Sequence, residues 1–185
     1  MFARTPRLTL RPGWPEDAPA LARAIGHETV VTKLSRVPWP YTVDDAHDWL
    51  SRPRPADDLF CLIMLHQGGA TRLIGGIGLH AEENGHELGY WLTPDAWGLG
   101  YATEAGRAIV ENARHTLRLK RLQARHYADN PASARVLRKL GFRPTGRVSP
   151  LPCLASGDAR PSVEMDRDLG EDYCRGPENS PRMAA

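Results

Sequence analysis

The stretch Thr93 to Leu117, "TPDAWGLGYATEAGRAIVENARHTL", limits what this chain can fold into more than any other. Ala102, Ala105, Ile109, Ala113 and Leu117 recur at helical spacing, so a long amphipathic helix runs on from Gly100. Its entrance carries two glycines, Gly98 and Gly100, which an ordinary helix start does not need. The first N–H groups of a helix have no intrahelical acceptor, and the helix dipole puts positive charge there; together they make an anion site. Glycine lets an anion approach such a backbone closely, as a nest of inward-pointing amides. The plainer reading of the two glycines is a tight turn.

Three phosphate-binding patterns compete for "WGLGYA", Trp97 to Ala102. A P-loop requires Lys and then Ser or Thr after its second glycine, and Tyr101 and Ala102 stand there. A dinucleotide fingerprint requires a third glycine at Thr103 and an acidic residue about 20 positions on, where the chain has Lys120 and Arg121. What remains is a nest for a pyrophosphate whose ligand is otherwise held by a strand and a second helix.

The flanking segments supply those elements. "RLTLR" (7–11) alternates with period two and a turn follows it; 16–25 reads as a helix, and Thr42 with Asp45 opens a second helix. The segments 59–66 and 71–80 read as a hairpin joined by the turn at 67–70, 86–92 as a strand ended by Thr93 and Pro94, and 121–128 as another strand. In "NPASARVLRKLGF" (130–142), Asn130 is an N-cap, Pro131 opens the helix and Gly141 lies just past its end. A terminal strand pair is expected around a loop at 151–160. With 185 residues and 41% hydrophobic content, one domain over 1–169 is expected, followed by a disordered tail at 170–185.

Cys61, Cys153 and Cys174 form no Cys-x-x-Cys pair, so neither a disulfide framework nor a zinc site is indicated, and a reducing cytoplasm fits. No apolar run approaches the roughly 20 residues of a membrane span, and "MFARTPRLTL" lacks the features of a signal peptide. A formal charge of +2 is too small for a broad nucleic-acid footprint, and the basic run 114–125 reads as a solvated helix end entering a strand. The expectation is a cytoplasmic protein without metal, nucleic-acid or membrane partners.

"HELGYWLTPDAWGLGYATEA" followed by "RLQARHYADNPASARVLRKLGF" resembles the coenzyme A core of the GNAT N-acetyltransferase superfamily, in its RimJ/RimL-like branch; "TPRLTLRPGWPEDAPAL" resembles that branch's first strand and helix. The resemblance covers about Thr5 to Asp168. It implies an α/β (α+β) fold with a twisted, mostly antiparallel mixed sheet, splayed between central strands and carrying helices on both faces. It implies acetyl-CoA as cofactor, with Trp97, Gly98, Leu99, Gly100, Tyr101, Ala102 and Thr103 around the pyrophosphate. Trp97 stands where the family's loop usually has Gln or Arg, a place at which the RimJ/RimL-like branch commonly has tryptophan. Trp91, Leu92 and Thr93 are implied to line the pantetheine arm through their backbone, where strand pairing is lost. Asn130 is implied to reach the pantetheine, though capping alone explains its type. Ser133, in the arrangement Asn-x-x-Ser, is implied to lie near the thioester sulfur, where a helix-surface serine is the simpler account.

Acetyl transfer requires a neutral amine, a polarised thioester carbonyl and a route for the departing thiolate. Glu87 resembles the family's frequent general base; an arginine-paired strand carboxylate explains it equally well. Many members place a tyrosine seven residues after the asparagine to protonate the thiolate, and here Leu137 stands there, so Ser133 or solvent is left for that task. Trp39 and Tyr41, beside rigid prolines, are candidates for the amine site or else core aromatics. The expected acceptor is a primary amine, either a protein N-terminus such as that of a ribosomal protein or a small amine, and a homodimer is compatible with this reading. The competing readings are a non-catalytic acyl-CoA sensor and, behind it, a nucleotide-binding or nucleic-acid-binding module.

Overall fold

Strand and helix signals alternate along the chain, and the computed structural model assembles the strands into one eight-stranded sheet over the described residues 2–55, 57–83 and 85–170. In chain order the elements are β1 (Ala3–Arg4), β2 (Leu8–Arg11), α1 (Ala18–Ile25), α2 (Glu28–Val31), α3 (Val43–Ser51), β3 (Leu59–Gln67), β4 (Ala70–Glu82), β5 (Gly85–Leu92), α4 (Tyr101–His115), β6 (Arg121–Tyr127), α5 (Pro131–Lys139), β7 (Arg143–Cys153) and β8 (Asp158–Asp168). The spatial order is β1-β2-β3-β4-β5-β6-β8-β7. Every neighbouring pair is antiparallel except β5 and β6. This is the mixed, mostly antiparallel sheet expected above.

Alternation along β5 sorts its side chains between two layers. Leu88 and Leu92, with Tyr90 beside them, join Ile77, Leu122, Ile109 and Leu137 in the core under α4 and α5. Trp91 turns the other way, onto the cluster that Leu21 of α1 and Leu50 of α3 make with Leu62 and Leu73. Helices therefore cover both faces. Thr42 starts α3 as read from sequence: its hydroxyl accepts the Asp45 N–H at 3.1 Å, and the Asp45 carboxylate accepts the Thr42 N–H at 2.8 Å.

The departures from the sequence reading have local causes. The helix read over 16–25 begins as a tight 3-10 turn at Pro15–Asp17, and α-helical geometry starts at Ala18. The loop read over 151–160 shrinks to 154–157, because β7 continues to Cys153 and β8 already begins at Asp158. Pro144, Pro150 and Pro152 argue against a strand in sequence, but β7 is the outermost strand, where a missing N–H costs no ladder bond on the solvent side. β1 and α2 are too short for periodicity to reveal. Residues 171–185, which hold nearly all of the expected tail, lie outside the described residues.

The glycines of β4 are packing requirements. A Cβ on Gly76 would stand 2.7 Å from both the Phe60 ring and the Trp91 indole nitrogen, and one on Gly75 would stand 2.3 Å from the Trp91 carbonyl oxygen. We expect Gly76→Ala to lower unfolding free energy by about 1–3 kcal/mol through overpacking, read as a lower urea midpoint at unchanged slope.

Candidate functional site

β5 and β6 pair over two residues only, His86 with Leu122 and Glu87 with Gln123. Beyond Glu87 they part, while β4 continues to pair with β5 as far as Leu92 and β8 with β6 as far as Tyr127. The gap thus has two firmly held walls whose facing backbone groups no longer bond each other. α4 follows the C-terminal end of β5, and α5 follows that of β6. Because the two strands are parallel, both helices present positive N-terminal ends at the open side of the gap, the usual place for a ligand beside parallel strands.

At the start of α4 the two glycines do what no other residue type does easily. Gly98 has φ +76° and Gly100, the N-cap, φ +84°, while Leu99 between them is not left-handed, so the backbone reverses hand from residue to residue as in a nest. The first helical bond runs from the Glu104 N–H to the Gly100 carbonyl at 3.0 Å, which leaves the N–H groups of Tyr101, Ala102 and Thr103 without intrahelical acceptors. Trp97, Gly98, Leu99 and Gly100 are all exposed, whereas Ala102 and Thr103 are buried at the helix root. A nest lying open to solvent at the positive end of a fifteen-residue helix fits a pyrophosphate.

Some of the backbone read as pantetheine-lining already has partners. The Trp97 indole N–H donates to the Leu92 carbonyl at 2.8 Å, and the Thr93 N–H donates to the Ile74 carbonyl at 2.9 Å. Leu92 keeps a second lone pair, but Thr93 has no N–H left to offer. Trp97, the departure from the family's loop pattern, thereby ties the loop to the end of β5.

Sequence reading missed a clamp on this loop. Arg7 donates to the Glu104 carboxylate through its backbone N–H at 3.0 Å and its Nε at 2.7 Å, and to the Leu99 carbonyl at 3.1 Å. Its guanidinium lies 4.4 Å from the centre of the Tyr101 ring, and the Thr5 hydroxyl donates to Glu104 at 2.6 Å. Burial pushes the Glu104 carboxyl up, yet the hydrogen bonds from Thr5 and Arg7 together outweigh it and hold the group below its ordinary value. An acid in the first helical turn was the visible cue. Its partners, 97 and 99 positions away, were not.

Glu87 takes two hydrogen bonds on Oε2 from Arg125, from Nε at 3.1 Å and Nη2 at 2.7 Å; Arg125 lies two residues beyond Gln123, the last β6 residue paired with β5. His80, opposite Glu87 on β4, has its Nδ1 3.5 Å from Asp58. Asn130 Oδ1 accepts the Ser133 N–H at 3.1 Å and caps α5. The Ser133 Oγ lies 2.8 Å from the Tyr90 hydroxyl, which was not singled out in the sequence. Trp39 is 42% exposed, whereas Tyr41 packs between α1, α3 and the α2 segment, its hydroxyl pushed up to about 12 by burial. The turn between β7 and β8 braces the segment after α2, the Leu154 N–H donating to the Ser35 carbonyl at 3.1 Å, and from the turn between β6 and α5 Asp129 pairs with Lys33 at 3.3 Å.

Residues 7–143 match the family model described as the acetyltransferase (GNAT) domain. The chain belongs to the GNAT acetyltransferase family. The uncharacterized N-acetyltransferase p20 of Bacillus licheniformis is 30% identical over 151 residues, which is 77% of this chain and 82% of that protein. The uncharacterized N-acetyltransferase YoaA of Bacillus subtilis (strain 168) is 40% identical over 77 residues; the match spans 40% of this chain and 44% of that relative. The solved structure of a GNAT-family acetyltransferase from Bacillus anthracis superposes with a TM-score of 0.77 at 22% identity, covering 91% of this chain and 99% of that one, and shows the shared fold.

In this GNAT domain Leu137 is 1% exposed in the core beneath α4, so the place where many members carry a tyrosine holds only packing. The Glu104 clamp gives a pH-dependent expectation. Because the folded carboxyl is held below its ordinary value, its contribution to stability is complete above about pH 4.3 and fades as pH falls through the lowered folded value. Glu104→Gln is expected to cost about 1–3 kcal/mol at about pH 7 and progressively less towards about pH 3, measured by urea unfolding across that range.

Proposed function

We propose that the chain is an acetyl-CoA-dependent N-acetyltransferase of the RimJ/RimL-like branch, acting as a single domain over residues 1–169. It transfers the acetyl group to a primary amine by direct attack in a ternary complex. The observation that carries this reading is the divergence of β5 and β6 in front of two helix N-termini. A pantetheine arm is a linear chain of amides, and it fits a cleft whose walls offer unpaired backbone donors and acceptors. A pyrophosphate fits the nest at Gly98–Thr103.

Acetyl-CoA supplies the activated acyl group. The residues from Trp97 to Thr103 hold its phosphates; Leu92, with Thr93 lending bulk rather than its N–H, faces the pantetheine, whereas the expected backbone contact of Trp91 is taken by β4, its carbonyl lying beside Gly75; Asn130 stands at the mouth of the cleft. A free N–H of β5 polarises the thioester carbonyl. Glu87 receives the amine proton through Oε1 or a water, while Arg125 holds Oε2 and fixes the carboxylate's orientation. The amine enters from the side of Trp39 and the segment after α2. A protein α-amine, with pKa near about 8, needs less help to lose its proton than a lysine-type amine near about 10.4, which favours a protein N-terminus over a polyamine for a site with a single ion-paired carboxylate.

Incubation with acetyl-CoA and a set of N-terminal peptides and small amines, read by mass spectrometry, tests the activity. A peptide gaining one acetyl mass supports it, whereas coenzyme A binding without any acetylated amine assigns the chain to acyl-CoA sensing. For an α-amine acceptor kcat/KM should rise with pH and level off near about pH 8; for a lysine-type amine it should keep rising past about pH 9. Gly98→Ala adds a Cβ that meets no protein atom within 4 Å, so its cost is the left-handed backbone and the blocked nest. It should weaken coenzyme A binding at least about tenfold by calorimetry while destabilising the fold by only about 1–2 kcal/mol.

A further inference from the structure

Two side chains join the walls of the cleft at the level where β5 and β6 have already separated. Tyr90 comes from β5, three residues beyond the last β5–β6 pair, and Ser133 comes from the first turn of α5, which hangs from the end of β6. Tyr90 lies on the α4/α5 side of β5, with its hydroxyl 2.8 Å from Ser133 Oγ and 3.2 Å from the Ser133 carbonyl oxygen. The position seven residues after Asn130, meanwhile, holds the buried Leu137. The mechanism outlined above gives Tyr90 no task.

We propose that Tyr90 is a positioning residue for Ser133: its O–H donates to Ser133 Oγ, so that the serine's own hydrogen is aimed at the sulfur of the departing coenzyme A thiolate. This rests on the acetyl-CoA reading of the cleft. The Tyr90 hydrogen has two acceptors within reach, and the 2.8 Å separation to Oγ is the ordinary length for O–H···O, whereas 3.2 Å to the carbonyl is long. A negative sulfur in the cleft further favours the arrangement in which a donor hydrogen faces it, because hydrogen bonds to ions are about twice as strong as neutral ones.

Burial raises the Tyr90 hydroxyl to about 12 against the opposing effect of its hydrogen bond with Ser133, so it stays protonated at any working pH. A thiol ionises near about 8.5, so complete proton transfer from this tyrosine to the sulfur is uphill by several units. The pair acts by hydrogen bonding. As the C–N bond forms and the C–S bond breaks, the electron pair passes to sulfur and Ser133 donates a hydrogen bond to it. Tyr90 and Ser133 retain their protons, and the sulfur takes its proton from solvent.

The thiol of bound coenzyme A reports this arrangement without any amine. Titrating the complex by thiolate ultraviolet absorbance should show the bound thiol ionising about one pKa unit lower than free coenzyme A, as one charge-assisted hydrogen bond allows. Tyr90→Phe, which keeps the buried ring, and Ser133→Ala should each return the value to that of free coenzyme A, with the double variant no different from either single one. Ser133→Thr, which keeps the hydroxyl, should retain the shift. Coenzyme A affinity should change less than about twofold in Tyr90→Phe, which a general collapse of the cleft would not allow. A bound thiol that ionises as in free solution in the wild type, or a shift that survives Tyr90→Phe, overturns the assignment of Tyr90 while leaving the cofactor reading intact. Failure of the wild-type protein to bind coenzyme A overturns both.

Discussion

The pairing between β5 and β6 stops after Glu87, and the rest of the site depends on that interruption. Parallel strands joined along their length would have satisfied one another's backbone and closed the sheet. Here β4 and β8 hold the outer edges of the two strands while the inner edges separate, so the opening is built from rigid parts. Glu87 and Arg125 sit at its apex and link the strands by an ion pair where the ladder ends. The same carboxylate that closes the apex is the one proposed above to receive the amine proton, which would give a single side chain a structural and a chemical task.

Parallel direction at this single junction also decides where the two following helices begin. α4 and α5 must start at the open end, and their unpaired N–H groups face the same space. Different devices finish the two starts. α5 is capped by Asn130, whose side chain satisfies the Ser133 N–H. α4 has no side-chain cap, and its left-handed Gly100 leaves the first amides uncovered. The helix without a cap is the one suited to an external anion.

Much of this architecture was legible in the sequence because its signals are local. Thr42 with Asp45 and Asn130 with Pro131 mark helix starts through bonds spanning three residues, and the hairpin around Gly68 announces itself by its turn. The two glycines before α4 declared a special backbone, although only the torsion angles show that both are left-handed. What could not be read is held together across long separations: Thr5 and Arg7 on Glu104, and Tyr90 on Ser133; for Glu87 an arginine partner was expected, but not that Arg125 would supply it. None of these pairs leaves a periodicity. The loop expected over 151–160 was overestimated for a different reason, since proline forbids a central strand but not an outer one, and position within the sheet is not a local property.

Those prolines bear on how copies of the chain could meet. The outer strand β7 carries three of them in eleven residues, each removing a donor that a neighbouring chain would need in order to extend the sheet, and the opposite border is a strand of only two residues. Both margins resist continuation from one molecule to the next. Among the described residues, side chains on helical and loop surfaces are therefore better suited than the strand edges to join one subunit to another, leaving the strand register of each its own.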